Sequence, residues 1–509
     1  MTHLSENEKS HHIGSLRPGS SLDYRGTRIT GDSLNRVLEA TKDADGYPNL
    51  GRVEFGHAVM PLSANFARVR FSGSANFNAT VFSSGDFSSA IFVEDANFPA
   101  AIFSGNVDFS HAVFEKAPII GPLGVDLVAD FSGAQFGSTV LMKISARHVL
   151  FVQARWSSTA TIQLRHASFD LAHSFIEYPI SVSREHERFH FHHDGVERLD
   201  ELDREIETWR GDEAVTLLSL VGVDAAHVTL FDIDLSECTF AGAIHLDQLR
   251  MEGECNFSKT PYKRHRQLRG LQPNKNAPGL RVPLYLPVFI TKRSAIVEEH
   301  LWRNHGKSTV GWEEAEDIFR VSVPLVSPSR MAPVYRSLRK SFEDSKNEPG
   351  AADFYYGEME MRRLDWGTSR VERWILALYW VLSGYGLRAA RTFAWLLLFM
   401  GLTLACMMWW GVAKVDPKPE TTGRQVAVGR QIDLITDTPD PVNPTGGWDE
   451  RITGDRFEKS LRVLINSVVF RSSGQDLTTT GTYMEMVSRV TEPVLLGLAV
   501  LAVRNRVKR

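Results

Sequence analysis

The stretch that decides the fold is residues 64–114, which read ANFARVRFSGSANFNATVFSSGDFSSAIFVEDANFPAAIFSGNVDFSHAVF. It contains ten of the chain's 29 phenylalanines: Phe66, Phe71, Phe77, Phe82, Phe87, Phe92, Phe98, Phe103, Phe109 and Phe114. Successive phenylalanines are five residues apart, with six-residue steps at 71 to 77, 92 to 98 and 103 to 109. A period near five fits neither the 3.6-residue repeat of a helix nor the two-residue alternation of a strand. An ordinary amphipathic helix or a flat strand is therefore not predicted here.

A small residue stands two positions before most of these phenylalanines. The set is Ala64, Ala75, Gly85, Ala90, Ala96, Ala101 and Ala112. A recurring unit of small residue, polar residue and phenylalanine predicts stacked coils, with the aromatic rings along the axis and the small residues where space is short. The polar residues in between would face outward or form corners. A β-sandwich is the alternative, but it does not require aromatic rings at a five-residue interval.

These units resemble those of the pentapeptide-repeat family, which read Ala-Asp/Asn-Leu/Phe-X-X. The matches include Ala64-Asn65-Phe66, Ala75-Asn76-Phe77 and Ala96-Asn97-Phe98. The pattern resumes at Phe131 and Phe136 and returns more loosely over 230–257, so an interrupted repeat domain is predicted at 51–257. The resemblance implies a mainly β fold, a right-handed quadrilateral β-helix with four units per coil, and five or six coils over residues 64–175.

The segments around the repeats divide the chain further. Residues 1–50 are predicted to be an N-terminal segment in which 32–42 form a short helix that caps the first coil. Residues 1–15 have no apolar stretch of the kind found in signal peptides. A charged insertion at 183–213 contains His186, His190, His192 and His193. These are more typical of a solvated segment than of a metal site, because no further ligand is identifiable. Residues 258–370 are predicted to be a linker and a helical connector. The segments 16–30, 335–363 and 495–509 resemble segments of membrane-attached pentapeptide-repeat proteins of actinobacteria.

Residues 371–509 have the pattern of a small membrane module. The 21 residues at 393–413 carry no charge and would span about 31 Å as a helix, close to the ~30 Å of a hydrocarbon core. A second span is predicted at 484–503, an interfacial helix at 371–387, an exposed loop at 414–456 and an amphipathic helix at 457–471. Arginines and lysines before the first span and after the second place both ends in the cytoplasm, with the loop outside. We therefore expect the solenoid to be tethered to the plasma (inner) membrane.

The order of span, loop, amphipathic helix and second span is similar to that of pore-loop ion channels. The candidate pore residues are Thr478, Thr479, Thr480, Gly481, Glu485, Arg489 and Glu492. In such channels, backbone carbonyls of a Thr-Val-Gly-Tyr-Gly segment replace the hydration shell of the ion. The second glycine is missing here and Tyr483 is displaced, so a non-conducting membrane anchor is the alternative interpretation.

The composition narrows the functional classes. A net charge of -4 implies no attraction of the whole chain to nucleic acid, and no nucleic-acid partner is expected. Three cysteines cannot form a disulfide framework. The chain carries no phosphate-binding loop, nucleophile motif or complete metal set, so neither an enzyme nor a cofactor is expected. The two hypotheses are a membrane-anchored scaffold whose solenoid binds an unknown protein, and an oligomeric channel or membrane-perturbing effector. Membrane lipid and further copies of the chain are the other expected partners.

Overall fold

The computed structural model describes residues 6–60, 63–187, 189, 214–260, 293–304, 325–414, 418–423, 434–469, 471–472 and 474–507. The chain falls into two compact units, one made of Met1–Arg269 with Thr291–Asp365 and the other of Gly270–Ile290 with Trp366–Arg509. The predicted insertion at 183–213 lies mostly outside the described residues, as do His190, His192 and His193 and residues 261–292 and 305–324 of the predicted linker and connector.

The first unit contains a parallel β-solenoid, which confirms the predicted fold class. Among the described residues, one sheet has nine strands: Val59–Met60, Val81–Phe82, Ala101–Phe103, Ile119–Val125, Val140–Ser145, Ala160–Arg165, Ile180–Arg184, Val228–Phe231 and Arg250–Glu252. A second has seven: Ala64–Asn65, Gly85–Asp86, Val107–Asp108, Val128–Asp130, His148–Leu150, Ser168–Asp170 and Thr216–Ser219. The third has ten: Ser20–Asp23, Asn49–Glu54, Arg70–Phe71, Ala75–Asn76, Ile91–Phe92, Ala96–Asn97, Val113–Phe114, Gln135–Phe136, Arg155–Trp156 and Phe175–Ile176. All neighbouring strands pair in parallel, as stacked coils require.

The coil changes shape along the column. Up to Phe114 the chain visits four sides with very short strands, as the five-residue period predicts. From Ile119 to Ile176, two of these sides merge into one longer strand, and each coil contains three strands. In Val140–Ser145 the buried side chains alternate as Val140, Met142 and Ile144. The sequence period therefore switches locally from five to two, which is the alternation of an extended strand.

The phenylalanines lie inside the column and stack from coil to coil. The four stacks are Phe55, Phe77 and Phe98; Phe66, Phe87, Phe109, Phe131 and Phe151; Phe71, Phe92, Phe114, Phe136 and Trp156; and Phe82 and Phe103. Neighbouring ring centroids in these stacks are 4.3 to 5.4 Å apart. This interval matches the ~4.8 Å between hydrogen-bonded strands, so each ring sits directly above the ring of the previous coil.

At one corner of the column, successive coils have a residue with left-handed backbone two positions after a buried core side chain. The φ angle is positive at Arg68, Ser89, His111, Gly133, Gln153, His173 and Gly222. Such a backbone costs a non-glycine residue about 1–2 kcal/mol. Hydrogen bonds within the turn offset this cost, since the Asp108 carboxylate accepts one from the Ser110 amide at 2.7 Å and Asp130 accepts one from Ser132 at 2.8 Å. The acidic position of the repeat thus shapes the corner.

Helices accompany both ends of the solenoid. At the first end lie α1 (Glu6–Gly14) and α2 (Gly31–Ala40), which buries Leu34, Val37 and Leu38. At the other end lie α3 (Val297–Asn304), α4 (Pro328–Asp344) and α5 (Glu348–Leu364), together with 3-10 turns at Ala225–His227 and Leu246–Gln248 and the antiparallel pair Ser258–Lys259 and Ser294–Ala295. The ring of Phe257 is 5.8 Å from that of Phe240 and 4.9 Å from that of Phe354, so the aromatic core continues into the helices.

The second unit contains α6 (Arg370–Ser383), α7 (Ala389–Cys406) with a π turn at Met407–Gly411, α8 (Trp448–Arg451), α9 (Gly454–Val468) and α10 (Thr479–Val507). A hairpin pairs Glu420–Gly423 with Leu434–Asp437. Among the described residues, two stretches are long and apolar enough to cross a membrane: Ala389–Gly411 with 23 residues and Thr479–Arg504 with 26. As helices they would measure roughly 35 and 39 Å, sufficient for a ~30 Å hydrocarbon core.

Helix α9 buries only part of its apolar face. Within the predicted amphipathic helix, Phe457 and Ile465 are 45% and 55% exposed, whereas Leu464 is buried. The other buried positions include Ser460, Val463 and Ser467. In lipid surroundings, polar side chains can face the protein interior and apolar side chains can face outward. The hydrophobic effect does not favour the burial of apolar groups in hydrocarbon. This arrangement is consistent with a unit that contacts hydrocarbon.

Two arginines close the end of the first candidate span. Arg456 donates to the carbonyls of Val412 at 2.7 Å and Met408 at 2.6 Å. Arg451 donates to the Trp409 carbonyl at 2.9 Å. The last carbonyls of a helix have no partners within the helix, and positive charge is favourable at that end. These bonds therefore allow the chain to leave the span without orphaned backbone oxygens.

Candidate functional site

The outer surface of the solenoid carries an aromatic patch, which we define as Arg155, Phe175, Glu177 and Tyr178. Phe175 and Tyr178 are 56% and 50% exposed, although both belong to the ordered column. Strand Phe175–Ile176 pairs with Arg155–Trp156, which places Phe175 next to Arg155 in register. Tyr178 follows three residues later in the same coil. Parallel stacking therefore gathers side chains from two coils on one side of the molecule.

Polar contacts hold this patch in place. The Arg155 guanidinium carbon lies 5.1 Å from the centroid of the Phe175 ring, and its Nη2 is 2.8 Å from Glu177 Oε1. On the preceding coils, the Thr139 hydroxyl is 3.0 Å from the Ser158 hydroxyl. Exposed aromatic rings together with arginine are the residue types that contribute most binding energy in protein interfaces. The patch thus offers a rigid contact surface with little ordering cost.

The far end of the solenoid contains a buried charge network formed by Arg293, Glu299, Arg303 and Tyr335. Glu299 is completely buried, and Arg293 Nη2 donates to both of its oxygens at 2.7 Å. Arg303 Nε donates to Glu299 at 2.8 Å, and the Tyr335 hydroxyl donates to the same carboxylate. This network joins α3 to α4 and stabilises the end of the column, a structural task that explains the Glu-Glu-His run at 298–300.

The adjacent carboxylate performs a second structural task. Glu298 Oε1 accepts hydrogen bonds from the backbone amides of Phe240 at 2.5 Å and Ala241 at 2.8 Å. These amides belong to one of the last coils, whose edge pairs with no further strand in the described part of the chain. A helix thereby supplies the acceptor that a next coil would have supplied.

Burial and charge shift several pKa values at this end. Burial alone would raise the pKa of Glu299, but Arg293 and Arg303 outweigh it and hold the pKa at about 2. Burial lowers the pKa of His300 to about 4, so this ring is neutral at pH 7. Burial also raises the pKa of Tyr335 far above its ordinary value. The network therefore consists of one carboxylate, two guanidinium groups and a neutral phenol, and every member has a partner.

Four of the candidate pore residues, Thr478, Thr479, Thr480 and Gly481, lie at the start of α10, and the other three, Glu485, Arg489 and Glu492, lie further along it. The Thr478 amide donates to the Gly411 carbonyl at 3.0 Å, and the Thr478 hydroxyl accepts from the Gly481 amide at 3.1 Å. The Thr478 carbonyl accepts from the Thr482 amide at 2.9 Å, so it is used within the helix. A filter made of carbonyls needs these oxygens directed at the ion. The resemblance to pore-loop channels is not confirmed.

A groove of about 510 Å³ lies between α7 and α10. Three of the candidate pore residues line it, namely Thr479, Thr480 and Glu492, whereas Thr478, Gly481, Glu485 and Arg489 do not. Its walls are mainly apolar, and its polar groups include Glu492 at the inner side. The two helices cross tightly at one end, where a Cβ on Gly481 would collide with the Gly411 carbonyl. The groove therefore lies beside a fixed crossing point.

Residues 66–113 match a family model described as pentapeptide repeats in nine copies. This segment of the solenoid is built from pentapeptide repeats. No curated protein and no solved structure matches the chain. The likeness to membrane-attached actinobacterial proteins is accordingly not confirmed, and the family assignment rests on the repeat segment.

The pentapeptide-repeat solenoid brings together residues that sequence reasoning did not select. The aromatic patch was missed because Phe175 is one phenylalanine among many, and only its register opposite Arg155 shows that it points outward. The buried charge network was missed because its members are far apart in the sequence, with 42 positions from Arg293 to Tyr335. His186 lies near Asp232 at 3.3 Å, and no group of three or more possible metal ligands occurs in the part of the chain that the structure describes.

Proposed function

We propose that this protein is a membrane-anchored scaffold whose pentapeptide-repeat solenoid binds a partner protein. The aromatic patch is the observation that carries the proposal. Phe175 and Tyr178 are half-exposed, and Phe175 packs against Arg155, which in turn pairs with Glu177, so the coil register enforces the exposure of the Phe175 ring. Binding through such a preorganised surface loses little conformational entropy.

The second unit supports the anchoring part of the proposal. Helix α6 exposes an apolar stripe of Val371, Trp374, Ile375 and Leu378, each at least 59% exposed. These residues have the i, i+3, i+4, i+7 spacing of one helix face, which suits a helix lying at the surface of a bilayer. Leu397, Leu398 and Leu402 on α7 are similarly exposed. Contact with lipid would remove this apolar surface from water.

The patch hypothesis predicts site-specific contact with one partner. A photo-crosslinking amino acid at Phe175 should give a discrete adduct in the producing cells, and Tyr178→Ala should weaken that adduct at least fivefold. Tyr47 is the matched control, since it is 48% exposed on the same solenoid but lies far from the patch in sequence. The same crosslinker at Tyr47 should give no such adduct, and equal adducts at both positions would contradict the proposal.

We also propose that both chain ends lie in the cytoplasm and the hairpin lies on the opposite side, since basic residues flank the outer ends of the two spans. In a variant lacking the three native cysteines, Glu420→Cys should react with a membrane-impermeant maleimide in intact cells. Glu94→Cys is an exposed control on the solenoid and should react only after lysis. Labelling of Glu94→Cys in intact cells would overturn this orientation.

A further inference from the structure

Glu492 is a buried carboxyl group that has no charged partner among the residues that the structure describes. Its side chain is completely buried on α10, and it forms no ion pair with any residue that the structure describes. The hydroxyls of Ser488 and Thr403 lie close to the carboxylate, but neither carboxylate oxygen makes a hydrogen bond of ordinary geometry. A carboxylate in such surroundings is strongly destabilising unless a positive charge or a donor satisfies it.

The surroundings of Glu492 define what could satisfy it. The groove has apolar walls that include Phe399, Leu402 and Val487, and hydroxyls that include Thr403 and Ser488. Divalent metals require several charged or carbonyl oxygens, and one carboxylate with neutral hydroxyls falls short of such a set. A single carboxylate matches one positive charge, and the apolar walls match an apolar body.

We propose that the groove between α7 and α10 binds a hydrophobic amine, with its ammonium group on Glu492 and its apolar body along Phe399, Leu402 and Val487. The ammonium group donates hydrogen bonds to the carboxylate, and the Thr403 and Ser488 hydroxyls accept its remaining hydrogens. The volume of about 510 Å³ falls within the range of ordinary small-molecule sites. Leu402 and Val487 are 57% and 63% exposed, so the groove is open to a ligand entering from one side.

The probe for this site is tritiated 1-adamantanamine, a compact apolar cage with one amine. The full chain in nanodiscs of zwitterionic phosphatidylcholine, which has no net charge, should bind it saturably, with one molecule per chain. Unlabelled 1-adamantanol has the same cage without the charge and should compete at least tenfold less well than the unlabelled amine. Glu492→Gln should weaken amine binding at least tenfold, because it removes the charge and keeps the shape.

Two further variants separate ligand binding from folding. Glu485→Gln alters another buried carboxylate of α10 that does not line the groove, and it should change amine affinity less than threefold. Leu402→Trp fills the groove from an exposed position that tolerates a larger side chain, and it should abolish binding. Equal competition by the alcohol, non-saturable uptake that reflects lipid alone, or unchanged binding in Glu492→Gln and Leu402→Trp would each overturn the proposal.

Discussion

Phe87→Ala is expected to destabilise the solenoid by about 3–5 kcal/mol, the range for removing a buried phenylalanine ring. Phe87 is fully buried, and its ring lies 5.0 Å from both Phe66 below and Phe109 above. Edge contacts to Phe77 and Phe98 complete its surroundings. The cavity cannot collapse easily, because backbone hydrogen bonds fix the spacing of the coils on every side.

Hydrogen exchange of the full chain measures this effect, since it reports on the solenoid separately from the second unit. Amides in 64–114 should lose protection in Phe87→Ala. Phe175→Ala is the matched control, because it removes the same ring from an exposed position of a later coil, and it should change stability by less than about 0.5 kcal/mol. If the two variants lose equal protection, the axial stacks do not stabilise the column in the way described.

Glu299→Gln is expected to destabilise the far end of the solenoid by about 3–5 kcal/mol. The side-chain exposures of Arg293 and Glu299 are only 3% and 0%, so removing the negative charge leaves a guanidinium group buried without compensation. The amide of glutamine also has only one acceptor oxygen, whereas the carboxylate accepts hydrogen bonds from Arg293, Arg303 and Tyr335. Exchange protection in α3 and α4 should fall, while protection in 64–114 should remain.

The pH dependence of this difference gives an independent check. The pKa of Glu299 is lowered from 4.5 to about 2, so its stabilising charge is fully present above pH 4.5 and is lost as the pH falls toward 2. Wild type and Glu299→Gln should therefore converge over that interval. Glu343→Gln removes a half-exposed partner of Arg339 on α4 and should cost less than about 1 kcal/mol at any pH. A large effect of Glu343→Gln would show that general charge loss, and not the buried network, governs this end.

Much of the fold follows from local spacing. Phenylalanines at intervals of five and six residues can all be buried only if the chain turns a corner in each unit, and the left-handed residues His111 and His173 mark such corners. The change to three strands per coil was also present in the sequence, as the alternation of Val140, Met142 and Ile144, but a search for a period of five passes over a period of two. The apolar spans were visible because 23 and 26 residues of high hydropathy are sufficient by length alone.

The sequence by itself determined the column and the apolar helices, because both depend on regular intervals between neighbouring residues. The tertiary structure decided which residues could act together. The aromatic patch depends on coil register, the Glu299 network on contacts across 36 residues, and the groove at Glu492 on how two helices cross at Gly411 and Gly481. Helix α9 shows the same limit, since its buried serines face inward against the preference that its sequence indicates. Periodicity identifies a face, but only packing determines what that face meets.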